Sequence, residues 1–225
     1  MASDSVETSE LSAIDKHLSA FDDRLRQGLA VALVLLVAGA GHASEIDLLG
    51  LKIPRNLAVF LGSFVILFFQ FSMLDKSVRI RALFKAIPDA NLPSHCRAIG
   101  LHPWSANPFA LFGTSRVAFV NSAKGLGLLF FAYVVMNSWI FTFGRRRSAG
   151  AVGVVAPFVL ILLSLLTWLV IWTTKREMRK RLSSDKELSQ TLARQSRYEW
   201  AWLAGFLVLG LLFCVWLVVL KGQIV

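Results

Sequence analysis

Five stretches of the chain are almost purely apolar, and polar segments separate them. A helix needs roughly 20 apolar residues to cross a bilayer, because the hydrocarbon core is about 30 Å thick and the helix rises about 1.5 Å per residue. None of the five apolar cores contains Asp, Glu, Lys or Arg. The pattern predicts an all-α transmembrane bundle with spans at about residues 27–44, 57–73, 125–143, 151–173 and 201–220.

The first apolar stretch allows a second interpretation. Its uninterrupted core, residues 29–41, is short for a span, and Gly41-His42-Ala43 has the small-x-small form of a signal-peptidase site. A signal peptide begins with a short basic region, whereas six carboxylates precede this stretch. They are Asp4, Glu7, Glu10, Asp15, Asp22 and Asp23. We therefore expect a retained span, with cleavage of residues 1–43 as the alternative.

Residues 1–28 are predicted to form an amphipathic helix. Their large apolar residues recur at alternating spacings of three and four, which is the stripe of a helix with one buried face. The stripe consists of Leu11, Ile14, Leu18, Phe21 and Leu25. Such a helix can lie on the membrane surface or pack against other cytosolic segments.

Composition and charge agree with a polytopic membrane protein. Hydrophobic residues make up 56% of the chain and charged residues 17%, whereas soluble domains are about one quarter charged. The net charge is +10, and cations near span ends stay preferentially in the cytoplasm. If the five spans alternate in direction, six of the 24 Lys and Arg residues fall on one side of the membrane and the rest on the other. The six are Lys52, Arg55, Arg145, Arg146, Arg147 and Lys221.

This distribution predicts the orientation in a cell inner membrane. The N-terminus and the segments 74–124 and 174–200 should be cytosolic, and the C-terminus should be outside. Arg145, Arg146 and Arg147 contradict the preference locally, so whether the third and fourth spans are both complete crossings stays open.

Segment 174–200 predicts a helical arm. The fourth span should continue through Arg181 and break at Ser183-Ser184, because Ser184 followed by Glu187 is a capping-box signature. A second helix should lead from Asp185 into the fifth span. Four aromatic residues near this arm indicate the membrane interface, where such rings concentrate. They are Trp172, Tyr198, Trp200 and Trp202.

Segment 74–124 is less regular. Residues 77–86 are predicted to be helical, and residues 109–124 to form an interfacial helix that leads into the third span. Between them, prolines interrupt the chain and predict a loop. They are Pro88, Pro93, Pro103 and Pro108.

Three short elements lie around the second span: Ile46-Asp47-Leu48-Leu49-Gly50-Leu51-Lys52-Ile53-Pro54, Ile87-Pro88-Asp89 and Leu101-His102-Pro103-Trp104. They resemble the membrane region of some bacterial pentapeptide-repeat proteins. In that group a Leu-Leu-Gly-x-x-Ile-Pro element precedes a span, and a Pro-Asp turn and a Tyr-Pro-Trp element follow it. The resemblance covers about residues 29–110, with His at position 102 in place of Tyr and no pentapeptide array. It implies a bacterial membrane module of unassigned activity and carries over no catalytic residue.

One group of residues invites a test for catalytic or metal chemistry. His95, Cys96 and His102 fall in one predicted loop, where they would be candidates for a metal site or a thiol nucleophile. A stable metal site needs three or four ligands, and Asp89 is the sole carboxylate nearby. We expect an ordinary polar loop, and no catalytic residue, metal or cofactor.

The spans contain polar but uncharged side chains. These are Ser63, Gln70, Asn137, Ser138, Ser164 and Thr167. Such residues mostly bond to neighbouring helices, and ion-coupled transport needs ionisable groups inside the membrane. The pattern disfavours a proton-coupled transporter and leaves an oligomeric pore open. Lys124, at the edge of the third span, is expected to snorkel to the headgroups.

A basic cluster follows the fourth span: Lys175, Arg176, Arg179, Lys180 and Arg181. Cations in this position bind anionic lipid headgroups, and a protein partner is the alternative. Nucleic-acid binding is not expected, since no recognition motif accompanies the charge. The leading hypothesis is a non-enzymatic membrane scaffold that docks a partner. A homo-oligomeric pore or membrane-disrupting effector is the alternative, and a membrane enzyme comes third.

Overall fold

The computed structural model describes residues 2–40, 45–48, 51–101, 108–109, 115–143, 150–182 and 185–224. This part of the chain is all-helical apart from one short β-hairpin, as the apolar pattern predicts. Its elements are α1 (Ala2–Ala40), β1 (Glu45–Leu48), β2 (Leu51–Pro54), α2 (Arg55–Ala86), α3 (Leu92–Leu101), α4 (Ser115–Phe143), α5 (Gly150–Arg181) and α6 (Lys186–Ile224). The antiparallel hairpin pairs Ile46 with Ile53 and was not predicted.

Three helical stretches in the described residues are long and apolar enough to cross a membrane: Arg55–Ala86, Ala118–Trp139 and Val155–Arg181. The first of them contains the second predicted span, and the other two overlap most of the third and fourth predicted spans. The apolar pattern predicts five spans, two more than these three helices. The first predicted span is the apolar end of α1, which the structure describes as far as residue 40. The fifth lies in α6, most of whose side chains after residue 205 fall outside the described part.

Four helices form the bundle. Both α2 and α4 pack against α1 and against α5, and α2 also contacts α4. The sixth helix packs along α4. At about 1.5 Å per residue, the 32 residues of α2 are about 48 Å long, which exceeds the hydrocarbon core of a bilayer. The bundle therefore extends beyond the hydrocarbon core. The end that carries the charged residues is called the polar end. It consists of residues 9–26, 73–87, 92–101, 116–124, 173–182 and 185–202.

The amphipathic stripe of α1 is part of the bundle core. Ile14, Leu18, Phe21 and Leu25 are all buried, and their helix continues without a break into the first apolar stretch. Burial of each such side chain contributes about 1.5–3 kcal/mol. The stripe therefore anchors the N-terminal half of α1 to α2 and α4.

One local prediction needs correction. The predicted proline loop contains the helix α3, because Pro93 occupies its first turn, where a missing N–H breaks no helical hydrogen bond. Asp185 caps the second helix of the arm, and the predicted capping residue Ser184 lies outside the described residues. The Asp185 carboxylate accepts a hydrogen bond from the Leu188 N–H at 3.1 Å. The predicted end of α5 at Arg181 is confirmed.

Polar side chains inside the spans connect the helices, as predicted. Gln70 donates to Ser164 at 3.0 Å, and Ser138 donates to the Leu35 carbonyl at 2.9 Å. The Trp139 indole donates to the Ser63 hydroxyl at 2.9 Å. Two others bond to their own helices, Asn137 to the Tyr133 carbonyl and Thr167 to the Leu163 carbonyl.

Candidate functional site

Charged side chains of the polar end join helices in pairs. The Lys124 ammonium lies 2.7 Å from the Asp22 carboxylate, and Arg26 lies 2.7 Å from the other Asp22 oxygen. Both side chains of the Lys124–Asp22 pair are largely buried, with 14% and 7% of their surfaces exposed. The expectation that Lys124 snorkels to headgroups is therefore wrong, because Asp22 from α1 neutralises it within the bundle.

Glu199 connects three helices at one point. Its Oε1 atom accepts from Lys175 Nζ of α5 at 2.7 Å, from Asn121 Nδ2 of α4 at 3.3 Å and from Gln195 Nε2 of α6 at 3.2 Å. Its backbone carbonyl accepts from the Ser122 hydroxyl at 3.1 Å. Several donors around one partly buried carboxylate lower the cost of removing its charge from water. Glu199 thus fixes α6 against α4 and α5.

Arg181 binds the C-terminal end of α2. Its Nε donates to the Asp89 carboxylate at 2.6 Å, and its Nη atoms donate to the carbonyls of Phe84, at 2.8 Å, and Ile87. The last carbonyls of a helix have no partner within the helix and carry partial negative charge. The guanidinium satisfies two of these carbonyls and holds the Pro88-Asp89 turn.

The structure divides the predicted basic cluster. Lys175 and Arg181 make internal contacts, so they are structural residues. Arg176 is exposed and stacks over the Trp172 ring, with the guanidinium carbon 5.5 Å from the ring centre. Among the described residues, Arg179 and Lys180 have no acidic partner. Within the described residues, three of the five cations are therefore available to an external anion.

A cleft lies between α5 and α6 beside these cations. Both helices pack along α4, yet in the described part their own backbones scarcely approach within 8 Å of each other. The resulting cleft is shallow, with a volume of about 40 Å³, and it opens at the protein surface. Its walls are formed by Trp172, Lys175, Arg176 and Arg179 of α5 and by Leu192, Gln195, Ser196 and Glu199 of α6.

The Cys-His group does not form the predicted polar loop. His95 and Cys96 lie on α3 and are buried, with 2% and 0% of their surfaces exposed, because α3 packs that face into the core. The third member, His102, lies outside the described residues. His95 Nδ1 donates to the Asn91 carbonyl at 2.9 Å, and its Nε2 lies 3.9 Å from a Glu10 oxygen.

His95 and Cys96 have a structural role. Burial raises the pKa of the Cys96 thiol to about 12, so at neutral pH it is a thiol and not the nucleophilic thiolate. In the described part of the chain no group of three His, Cys, Asp or Glu side chains is arranged to hold a metal ion. His95 and Cys96 pack α3 against the bundle.

Sequence reasoning missed the two carboxylates that organise the polar end, Asp22 and Glu199. A signal for Asp22 was present, since it lies beside Phe21 in the buried stripe of α1. Glu199 sits between exposed residues of α6, and its role depends on the distant positions 121 and 175. No protein-family model, curated protein or solved structure matches the chain.

Proposed function

We propose that this protein is a non-enzymatic membrane scaffold whose polar end docks an acidic partner protein in the cytosol. The observation that carries the proposal is the ordered polar end itself. Six helical segments meet there, and ion pairs join α1 to α4, α5 to α6, α2 to α5, and α3 to the residue that precedes α6. A surface that is already rigid loses little conformational entropy when it binds.

The docking surface that we assign is one face of α6. Lys186, Gln190, Arg194 and Arg197 recur at spacings of four, four and three and are all exposed, so they share an outward-facing strip. We call this strip the basic face. Among the described residues, its three cations have no acidic partner. Complementary charge steers association and selects partners, which favours an acidic partner surface.

The membrane arrangement is part of the proposal. We infer five crossings, with the apolar ends of α1 and α6 added to the three helices described above. The polar end faces the cytosol of a bacterium because most cations of the chain gather there. The C-terminus is then outside, in an inner membrane. The resemblance to pentapeptide-repeat membrane regions supports the bacterial assignment.

A pore receives less support. The bundle interior is filled by large side chains such as Leu35, Ile66, Phe131 and Leu160, each at most 1% exposed. The outer surface of α2 is apolar and aromatic, with Phe60, Phe64, Phe68 and Phe71 exposed. An assembly that contacts through this surface would have an apolar lining, which suits lipid contact better than ion passage.

The docking proposal is tested by photo-crosslinking in native membranes. A photoreactive amino acid replaces Gln190 in the centre of the basic face, and another replaces Phe158 as a lipid-facing control. We expect one discrete protein adduct from position 190 and none from position 158. Arg194→Glu should abolish the adduct, because it puts like charges opposite each other.

The matched control is Lys16→Glu, which reverses an exposed cation of α1 outside the basic face. It should leave the adduct unchanged. Absence of an adduct at position 190, or an adduct indifferent to Arg194→Glu, would overturn the proposal.

A further inference from the structure

Six exposed residues of α5 and the half-buried Arg179 form one stripe that changes character along the helix. It begins with apolar side chains, continues with an indole and ends with two guanidinium groups. In order, the stripe consists of Phe158, Leu162, Leu165, Leu169, Trp172, Arg176 and Arg179, at alternating spacings of four and three. At about 1.5 Å per residue, Leu162 to Trp172 covers about 15 Å, half the hydrocarbon thickness of a bilayer.

This order matches the order of groups in a phospholipid. Acyl chains lie at the depth of the leucines, the glycerol region lies where indoles concentrate, and the phosphate lies just beyond it. Exposed aromatic rings on α6 mark the same level, since Tyr198, Trp200 and Trp202 are 45%, 57% and 38% exposed. Arg176 and Arg179 therefore stand at the depth of headgroup phosphates.

The cleft between α5 and α6 provides a binding site at this depth. Lys175 and Glu199 line the cleft and neutralise each other as an ion pair. Arg176 and Arg179 therefore supply the net positive charge of the cleft. Stacking on Trp172 holds the Arg176 guanidinium at the cleft wall, and Ser196 lines the opposite wall. Guanidinium groups bind phosphate oxygens through paired, charge-assisted hydrogen bonds.

We propose that this cleft holds one anionic phospholipid, with its phosphate between Arg176 and Arg179 and an acyl chain along Leu162, Leu165 and Leu169. Zwitterionic lipids bind less well, because their headgroup cation would lie beside Arg176 and Arg179. A free phosphate ion would gain the guanidinium contacts without those to the apolar stripe. The site is separate from the basic face and does not depend on the docking proposal.

Native mass spectrometry of the full-length protein, released from mild detergent, tests this site. The probes are phosphatidylglycerol, phosphatidylcholine and inorganic phosphate. We expect one tightly retained phosphatidylglycerol per chain and weaker binding of phosphatidylcholine. The variant Arg176→Gln/Arg179→Gln should bind phosphatidylglycerol about 25-fold more weakly, from a factor of about five for each cation near an anionic headgroup.

The matched control is Lys180→Gln/Arg194→Gln, which removes two exposed cations that do not line the cleft. It should retain the lipid as the unmodified protein does. Equal loss in both variants would show a general effect of surface charge and overturn the site. So would unchanged binding in Arg176→Gln/Arg179→Gln, or displacement of the lipid by millimolar inorganic phosphate.

Discussion

Arg181 at the end of α5 lies 2.6 Å from the carboxylate of Asp89, in the turn that follows α2. Asp89 is 74% exposed, so the ion pair alone contributes little. The same guanidinium, however, binds the carbonyls of Phe84 and Ile87. Arg181 therefore links α5, the end of α2 and the turn that leads to α3.

The first prediction concerns this link. Arg181→Gln should lower the free energy of unfolding by about 2 kcal/mol, because two carbonyls lose charge-assisted hydrogen bonds. It should also speed amide hydrogen exchange in residues 84–92. Lys180→Gln, which changes the neighbouring exposed cation, is the control and should do neither. Equal exchange in both variants would mean that the guanidinium does not hold the turn.

The second prediction uses two glycines of α4. A Cβ atom on Gly125 would lie 2.5 Å from a ring carbon of Trp168, whereas a Cβ on Gly127 would meet nothing within 4 Å. Gly125→Ala should therefore destabilise the bundle by about 1–3 kcal/mol, through displacement of a large ring. Gly127→Ala should be neutral or slightly stabilising, since alanine favours helix. Unfolding in detergent with increasing dodecyl sulfate measures both.

The periodic features of the fold were predictable from sequence. Charge-free apolar runs predicted three helices that the structure confirms as long enough to span, and alternating spacings predicted the stripe from Ile14 to Leu25. The end of α5 at Arg181 also followed from local signals. These features depend on residues near one another in sequence, where helical geometry decides which side chains share a face.

The contacts of the polar end were not predictable in the same way. Lys124 was expected at the headgroups because its partner, Asp22, is 102 residues away. The cations of the basic cluster do not act as one group, because Lys175 pairs with Glu199 and Arg181 pairs with Asp89. A proline-based loop assignment failed for α3, because proline in a first turn is compatible with a helix.

The third prediction concerns Cys96. Because burial raises the pKa of its thiol to about 12, the folded protein should react very slowly with maleimide at neutral pH. The measurement uses a Cys214→Ala background, so that Cys96 is the single cysteine. Labelling should become rapid after denaturation in dodecyl sulfate. Rapid labelling of the folded protein would contradict the burial of α3.

The fourth prediction concerns pH. Burial lowers the pKa of His17 below its ordinary value of 6.5, and the nearby cations Lys76 and Arg79 lower it further, while Asp75 partly opposes them. The unfolded chain then takes up the proton first, so stability is fully present above pH 6.5 and falls as the pH drops below it.

His17→Gln removes this titration. The unfolding midpoint of the unmodified protein should fall between about pH 7.5 and pH 5.5 by more than that of the variant. Parallel pH profiles for the two proteins would contradict the assignment of the effect to His17.

The central proposal is that the polar end lies in the cytosol and that the chain crosses the membrane five times. Reporter fusions at positions 48, 90, 148, 185 and 225 test it most directly, because each falls in a different connecting segment or at the C-terminus. The account predicts the order outside, inside, outside, inside, outside. A cytosolic signal at position 148 would contradict it, since the third and fourth spans would then not be complete crossings and Arg145, Arg146 and Arg147 would obey the positive-inside preference.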